Sequence, residues 1–208
     1  MTQSNLLFQV PRAIYSLRQE SNIMRQMSQY GCDAKYVNEG EKMHKQVQTL
    51  TEQQEEAQRQ SREATRSLGE TRNFIHTRYM QHLKLSRIAF QNDARISDLL
   101  GFKGPRKMRL DGWLKQTHDF YRHALLHAEA LERFGIPRHE LEESQVLLGQ
   151  MIELSSLQKQ AQSRAQVLTQ KKQEALAQLD QWYRKLLKIA RVALEAEPQQ
   201  LEALGVAV

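Results

Sequence analysis

Residues 147–193 read LLGQMIELSSLQKQAQSRAQVLTQKKQEALAQLDQWYRKLLKIARVA. Positions 147, 151, 154, 158, 161, 165, 168, 172, 175, 179, 182, 186, 189 and 193 follow a 4-3 spacing filled mostly by Leu, Met, Ala, Trp and Ile. That spacing predicts one helical seam. The same register runs through Met43, Val47, Leu50, Ala57, Ala64, Leu68, Ile75, Leu85 and Ala89. Both stretches are apolar at their ends and polar in the middle, where residues 52–66 hold no large aliphatic side chain.

The two stretches belong to a longer correspondence. Residues 5–104 lie on residues 109–208 at a constant shift of 104 without a gap, and roughly one aligned position in six is identical. Tyr79, Leu83, Lys84, Arg87 and Ala89 fall on Tyr183, Leu187, Lys188, Arg191 and Ala193, and Leu100-Gly101 falls on Leu204-Gly205. The expectation is a tandem duplication, with helical repeats over 1–104 and 105–208.

Each copy opens with a helix, to about Gln29 in the first, where Pro11 marks a start or a kink. Gly31 and Gly135 suit the left-handed residue that ends a helix, and Asp33 suits the cap of the next one. Almost 60 residues with few breakers follow, 34–92 and 138–196, and a short helix closes each copy at 93–101 and 197–205.

Two architectures fit. If the polar middle turns, each copy is a three-helix bundle with a short terminal helix. If it does not, each copy holds a helix of roughly 88 Å at 1.5 Å per residue, and two such helices run antiparallel with their later halves exchanged between copies. Persistence of the heptad register through the middle favours the exchanged bundle. Abundant Gln, Glu, Lys, Arg, Ala and Leu with little Val, Ile or Thr make the fold class all-α in either case.

The 208 residues carry 30 Lys and Arg against 24 Asp and Glu, a net charge of +6 spread among acids along the helices. That balance suits solubility as well as it suits a polyanionic partner. Cys32 is the single cysteine, so no internal disulfide forms, and a reducing cytoplasm is the expected setting. A basic leader with a long apolar run is absent, as is any stretch of about 18 apolar residues, so no membrane association is expected.

Histidine is the residue type with a pattern. His44, His82, His118 and His127 stand where the other copy has Leu148, Leu186, Ile14 and Ile23. His123 and His127 are spaced i, i+4, with Asp119 one turn earlier, and Glu41-Lys-Met-His44 has the Glu-x-x-His spacing of carboxylate-bridged metal bundles. Such a centre needs the motif twice, and the second copy has Gln145 and Leu148 instead of Glu41 and His44. The expected assignment is therefore no metal and no cofactor, with His44, His82, His118, His123 and His127 as the candidates should a metal bind. A second cluster sets Arg184, Lys185, Lys188 and Arg191 beside Trp182 and Tyr183, the ingredients of a single-strand nucleic-acid footprint. Trp182 and Leu186 lie on the heptad seam, which assigns the ring to the core and the bases to a solvated face.

No Gly-rich phosphate loop, G-x-S-x-G elbow, Cys/His dyad or H-E-x-x-H helix occurs. The sequence reading is a non-enzymatic helical scaffold or interaction module with a protein partner. The alternatives are a basic nucleic-acid binder and a His/carboxylate metal bundle.

Overall fold

A computed structural model describes residues 2–205, and among them every regular element is helical. In chain order these are α1 (Gln3–Gln19), α2 (Ser21–Ser28), α3 (Ala34–Ala89), α4 (Ala94–Leu99), α5 (Leu110–Leu125), α6 (Ala128–Glu132), α7 (Arg138–Ala193) and α8 (Gln200–Ala203). Neither polar middle turns: α3 and α7 are each continuous over 56 residues, and their first and last residues differ by 104 in number.

The chain divides into two compact units. One is contiguous, Gln60–Gln162, and is called the central unit below; the other combines Met1–Arg59 with Ser163–Val208 and is called the split unit. Each long helix therefore contributes one half to each unit. In the split unit the stripes of α1 and α2 (Leu6, Val10, Leu17, Ile23, Met27) close on Val37 and Val47 of α3 and on Leu179, Leu186 and Ala190 of α7. In the central unit Trp113, Phe120 and Leu131, from α5 and α6, close on Ile75, Tyr79 and Leu83 of α3 and on Leu141, Leu148 and Met151 of α7.

Polar contacts fix the sense of the long helices. In the split unit Tyr36 meets Trp182 and Gln54 meets Thr169 and Lys172, while in the central unit Thr65 meets Gln158 and His82 meets Glu140. Numbers rise on one helix as they fall on the other, so the two run antiparallel in both units. Two of these contacts are related by the shift of 104: Gln54 Nε2 donates to Thr169 Oγ1 at 3.4 Å, and Gln158 Nε2 donates to Thr65 Oγ1 at 3.3 Å.

Local signals place the ends of the elements. Gly31 (φ 83°) and Gly135 (φ 79°) take the left-handed conformation after α2 and α6, where a side chain would be strained. The Asp33 carboxylate accepts from the Tyr36 amide at 2.9 Å, and Asp93 accepts from Ile96 at 2.9 Å. The single helix expected before each long helix is in fact two. Glu20 is extended (φ −97°, ψ 90°) between α1 and α2, and His127 (φ −120°, ψ 24°) separates α5 from α6. The apolar stripe jumps six residues from Leu17 to Ile23, too far for one straight helix face, and the break at Glu20 re-aims α2 so that Ile23 and Met27 both enter the core. The closing helix expected at 197–205 is also shorter, because α8 runs only from Gln200 to Ala203.

Candidate functional site

Two clusters bring together the residues with chemical potential, one in each unit. In the split unit they surround Trp182. Its indole stacks on Tyr36 with centroids 5.4 Å apart and planes at 23°. Trp182 Nε1 donates to the Tyr36 carbonyl at 3.2 Å, and the Tyr36 hydroxyl donates to the Trp182 carbonyl at 3.1 Å. The ring edge lies against the backbone of Gly40, where an added Cβ would overlap Trp182 Cζ2, Cη2 and Cε2. Burial, with Cys32 and Glu39 adding to it, pushes the Tyr36 hydroxyl up to about 12.

The four bases singled out in the sequence stand exposed on the same helix. Arg184 pairs with Asp180 one turn back at 2.6 Å, an i, i+4 contact in solvent, and the Lys185 ammonium sits 5.7 Å from the centre of the Tyr36 ring. Lys188 and Arg191 extend the exposed face. Trp182 is buried among the core residues with Tyr36 against its ring and Lys185, one turn on, flanking the pair, whereas Arg184, Lys188 and Arg191 project from other sides of α7.

The second cluster lies in the central unit around His82, which is 2% exposed. His82 Nε2 is 3.1 Å from Glu140 Oε2, and His82 Nδ1 is 3.3 Å from the Tyr121 hydroxyl. An ionised carboxylate only accepts, so Nε2 carries the proton of the neutral ring and Nδ1 accepts from Tyr121. Ser144 Oγ donates to the Glu140 carbonyl at 2.7 Å, and Arg78 pairs with Glu143 at 2.8 Å while its guanidinium caps the Phe74 ring at 4.8 Å. Burial holds the His82 imidazole below its usual range, with Arg78 acting in the same sense and Glu140 pulling back. Burial also pushes the Tyr121 hydroxyl up to about 12.

The other histidines do not join this cluster. His127 packs edge-on to Phe90 with centroids 5.6 Å apart, His123 lies 3.3 Å from Arg122, and His118 is exposed. His76 Nδ1 accepts from Trp113 Nε1 at 3.1 Å. Among the described residues no three of His, Cys, Asp and Glu converge in a way that would hold a metal ion.

His44 is occupied by a backbone group. Pro11 lies inside α1 and has no N–H to offer the carbonyl of Leu7, four residues earlier. That carbonyl is met at 3.4 Å by His44 Nε2 from α3. At the positions 104 residues on, Lys115 has its own amide and Leu148 is simply buried, so the proline and the histidine occur together and are absent together.

Glu140, Tyr121, Arg78 and Ser144 were not among the residues singled out from sequence. The signal existed in the internal alignment. Glu140 faces Tyr36 across the shift, Tyr121 faces Leu17, Arg78 faces Trp182, and Ser144 faces Gly40. Two further exchanges put Ser86 and Thr117 where Ala190 and Ala13 stand, and both hydroxyls are buried without a hydrogen-bond partner.

No helix among the described residues is long and apolar enough to cross a membrane. No protein-family model, curated protein or solved structure matches this chain.

Proposed function

We propose that this chain is a non-enzymatic helical scaffold, made by tandem duplication, whose two units each offer a surface to a protein partner in the cytoplasm. One observation carries the reading. Ile88 and Val192, 104 residues apart, are 56% and 57% exposed, and Tyr30 and Phe134, also 104 apart, are 51% and 40% exposed. A single large hydrophobe on a surface is ordinary. The same two positions left apolar and uncovered in both units are what a twice-used contact surface would retain.

The equal bounds of α3 and α7 and the paired Gln54–Thr169 and Gln158–Thr65 contacts support the duplication. The non-enzymatic reading is supported by the enclosure of His82, whose ring is buried between Glu140 and Tyr121. Cys32, buried and unpaired, suits a reducing compartment.

The test uses the intact chain as crosslinking bait beside the double variant Ile88→Glu, Val192→Glu. Both positions are exposed, so the melting temperature should hold to within a few degrees. Proteins captured by the parent and lost by the variant support the reading; identical capture by both removes it.

A further inference from the structure

We propose that the central unit is an acid-sensitive latch: protonation of His82, where α3, α5 and α7 meet, loosens α5, while the split unit, with Leu186 in the corresponding place, does not respond. This goes beyond the scaffold reading and does not rest on it. The first support is distribution. Of the seven histidines in the chain, six (His76, His82, His118, His123, His127 and His139) lie in the central unit, and only His44 lies in the split unit.

Geometry supplies the second support. Groups face His82 from three helices, Tyr121 from α5, Glu140 from α7 and Arg78 one turn back on α3, with Ser144 of α7 against Tyr121 and Glu143 of α7 held by Arg78. In the neutral ring both nitrogens are matched, Nε2–H to Glu140 and Nδ1 to the Tyr121 hydroxyl proton. A second proton on Nδ1 confronts that hydroxyl donor to donor, so Tyr121 must turn its proton away or move. The new charge is also buried and lies on the same helix as the cationic Arg78. Glu140 offsets part of this, but its side chain is more than a third exposed, so solvent screens the attraction.

The sign follows. The ring's folded pKa lies below its value in the opened chain, so the opened chain binds more protons as pH falls below about 6.5. Stability contributed by the neutral ring is complete above that pH and is lost as the pH falls toward the folded pKa. Over this window the opening constant of α5 should rise by up to about tenfold per pH unit.

Hydrogen exchange on the full chain tests the proposal, comparing amides 113–125 of α5 with amides 6–17 of α1 at pH 7.5 and 5.5 after correction for intrinsic rates. The expected result is a loss of protection in α5 of up to about tenfold, little change in α1, and no acid loss in α5 of His82→Leu. His76→Gln controls for the Trp113 contact and should keep the acid response. Equal changes in both helices, or an acid response that survives His82→Leu, would overturn the latch. If His82→Leu does not fold, histidine NMR titration of the parent decides instead: a His82 pKa below 6.5 sustains the proposal and one at or above it overturns it.

Discussion

Where the split unit stacks Tyr36 on Trp182 above Gly40, the central unit has Glu140, Arg78 and Ser144 at the corresponding positions, and where one has Ala13, Leu17, Leu186 and Ala190 the other has Thr117, Tyr121, His82 and Ser86. The helix bounds are nonetheless matched at a shift of 104 for both long helices. Backbone register is set by the shared apolar stripe, which tolerates a change of chemistry in one layer provided that the partners within the layer change together. Trp182 needs the space that Gly40 leaves, whereas in the central unit Arg78 pairs with Glu143 and Ser144 stands at the glycine's position, its hydroxyl donating to the Glu140 carbonyl. Pro11 and His44 form a linked pair of the same kind on the other side of the comparison.

The largest effect should come from cutting the chain at residue 104 instead of between the units. Residues 1–104 carry α1 and α2 without Leu179, Trp182, Leu186 and Ala190, the α7 residues that cover them. A leucine such as Leu179 or Leu186 contributes about 1.5 to 3 kcal/mol when buried, and a few such side chains together rival the stability of a whole domain. This fragment should be unfolded, aggregated or dimeric. Residues 60–162 contain the entire second core and should melt cooperatively as a helical monomer. Circular dichroism melts with sedimentation of both fragments check this, and the reverse outcome would undo the division into units.

Next in size is Gly40→Ala. The new methyl meets the Trp182 ring, which is held by Tyr36 on its face and by its indole hydrogen bond, so overpacking should cost about 1 to 3 kcal/mol in urea denaturation. The comparison is sharpened by His44→Leu, which leaves the Leu7 carbonyl without its contact and should cost about 1 kcal/mol, but almost nothing when Pro11→Ala restores the amide. A double-mutant cycle reads that coupling directly. Ser86→Ala should raise stability by about 1 kcal/mol, because it removes a buried hydroxyl with no partner and installs the residue the split unit has at Ala190. The smallest change is expected from Gly149→Ala in the central unit, where nothing lies within 4 Å of an added methyl inside α7, a gain of about 0.5 to 1 kcal/mol.

Much of this helical architecture is legible in the sequence. The heptad seam placed Trp182, Leu186 and Leu179 in the core, where they lie, and Gly31, Gly135 and Asp33 marked helix ends by backbone rules that act locally. Unbroken register through 52–66 favoured long helices, and α3 is continuous there. What could not be read is the break at Glu20, since its cause is the reach of Ile23 and Met27 toward a core assembled from distant residues. Nor did the spacing of Glu41 with His44, or of His123 with His127, reveal what these side chains touch. Glu41 pairs with Lys45 and Arg18, and His44 meets a carbonyl of α1. Pairings across helices depend on rotation about each axis, and a sequence pattern fixes that rotation only to within a face.

The interleaving of the units also governs how the chain is made. During synthesis the central unit is complete once residue 162 has emerged, but α1, α2 and the first half of α3 must wait for Ser163 onward before their apolar stripes are covered. At about 5 to 20 residues per second, the hundred or so residues in between take on the order of 5 to 20 s. Throughout that interval Leu6, Val10, Leu17, Ile23 and Met27 face solvent or a holding partner. α1 and α2 are thus translated before the central unit, yet their apolar stripes are covered after it is complete.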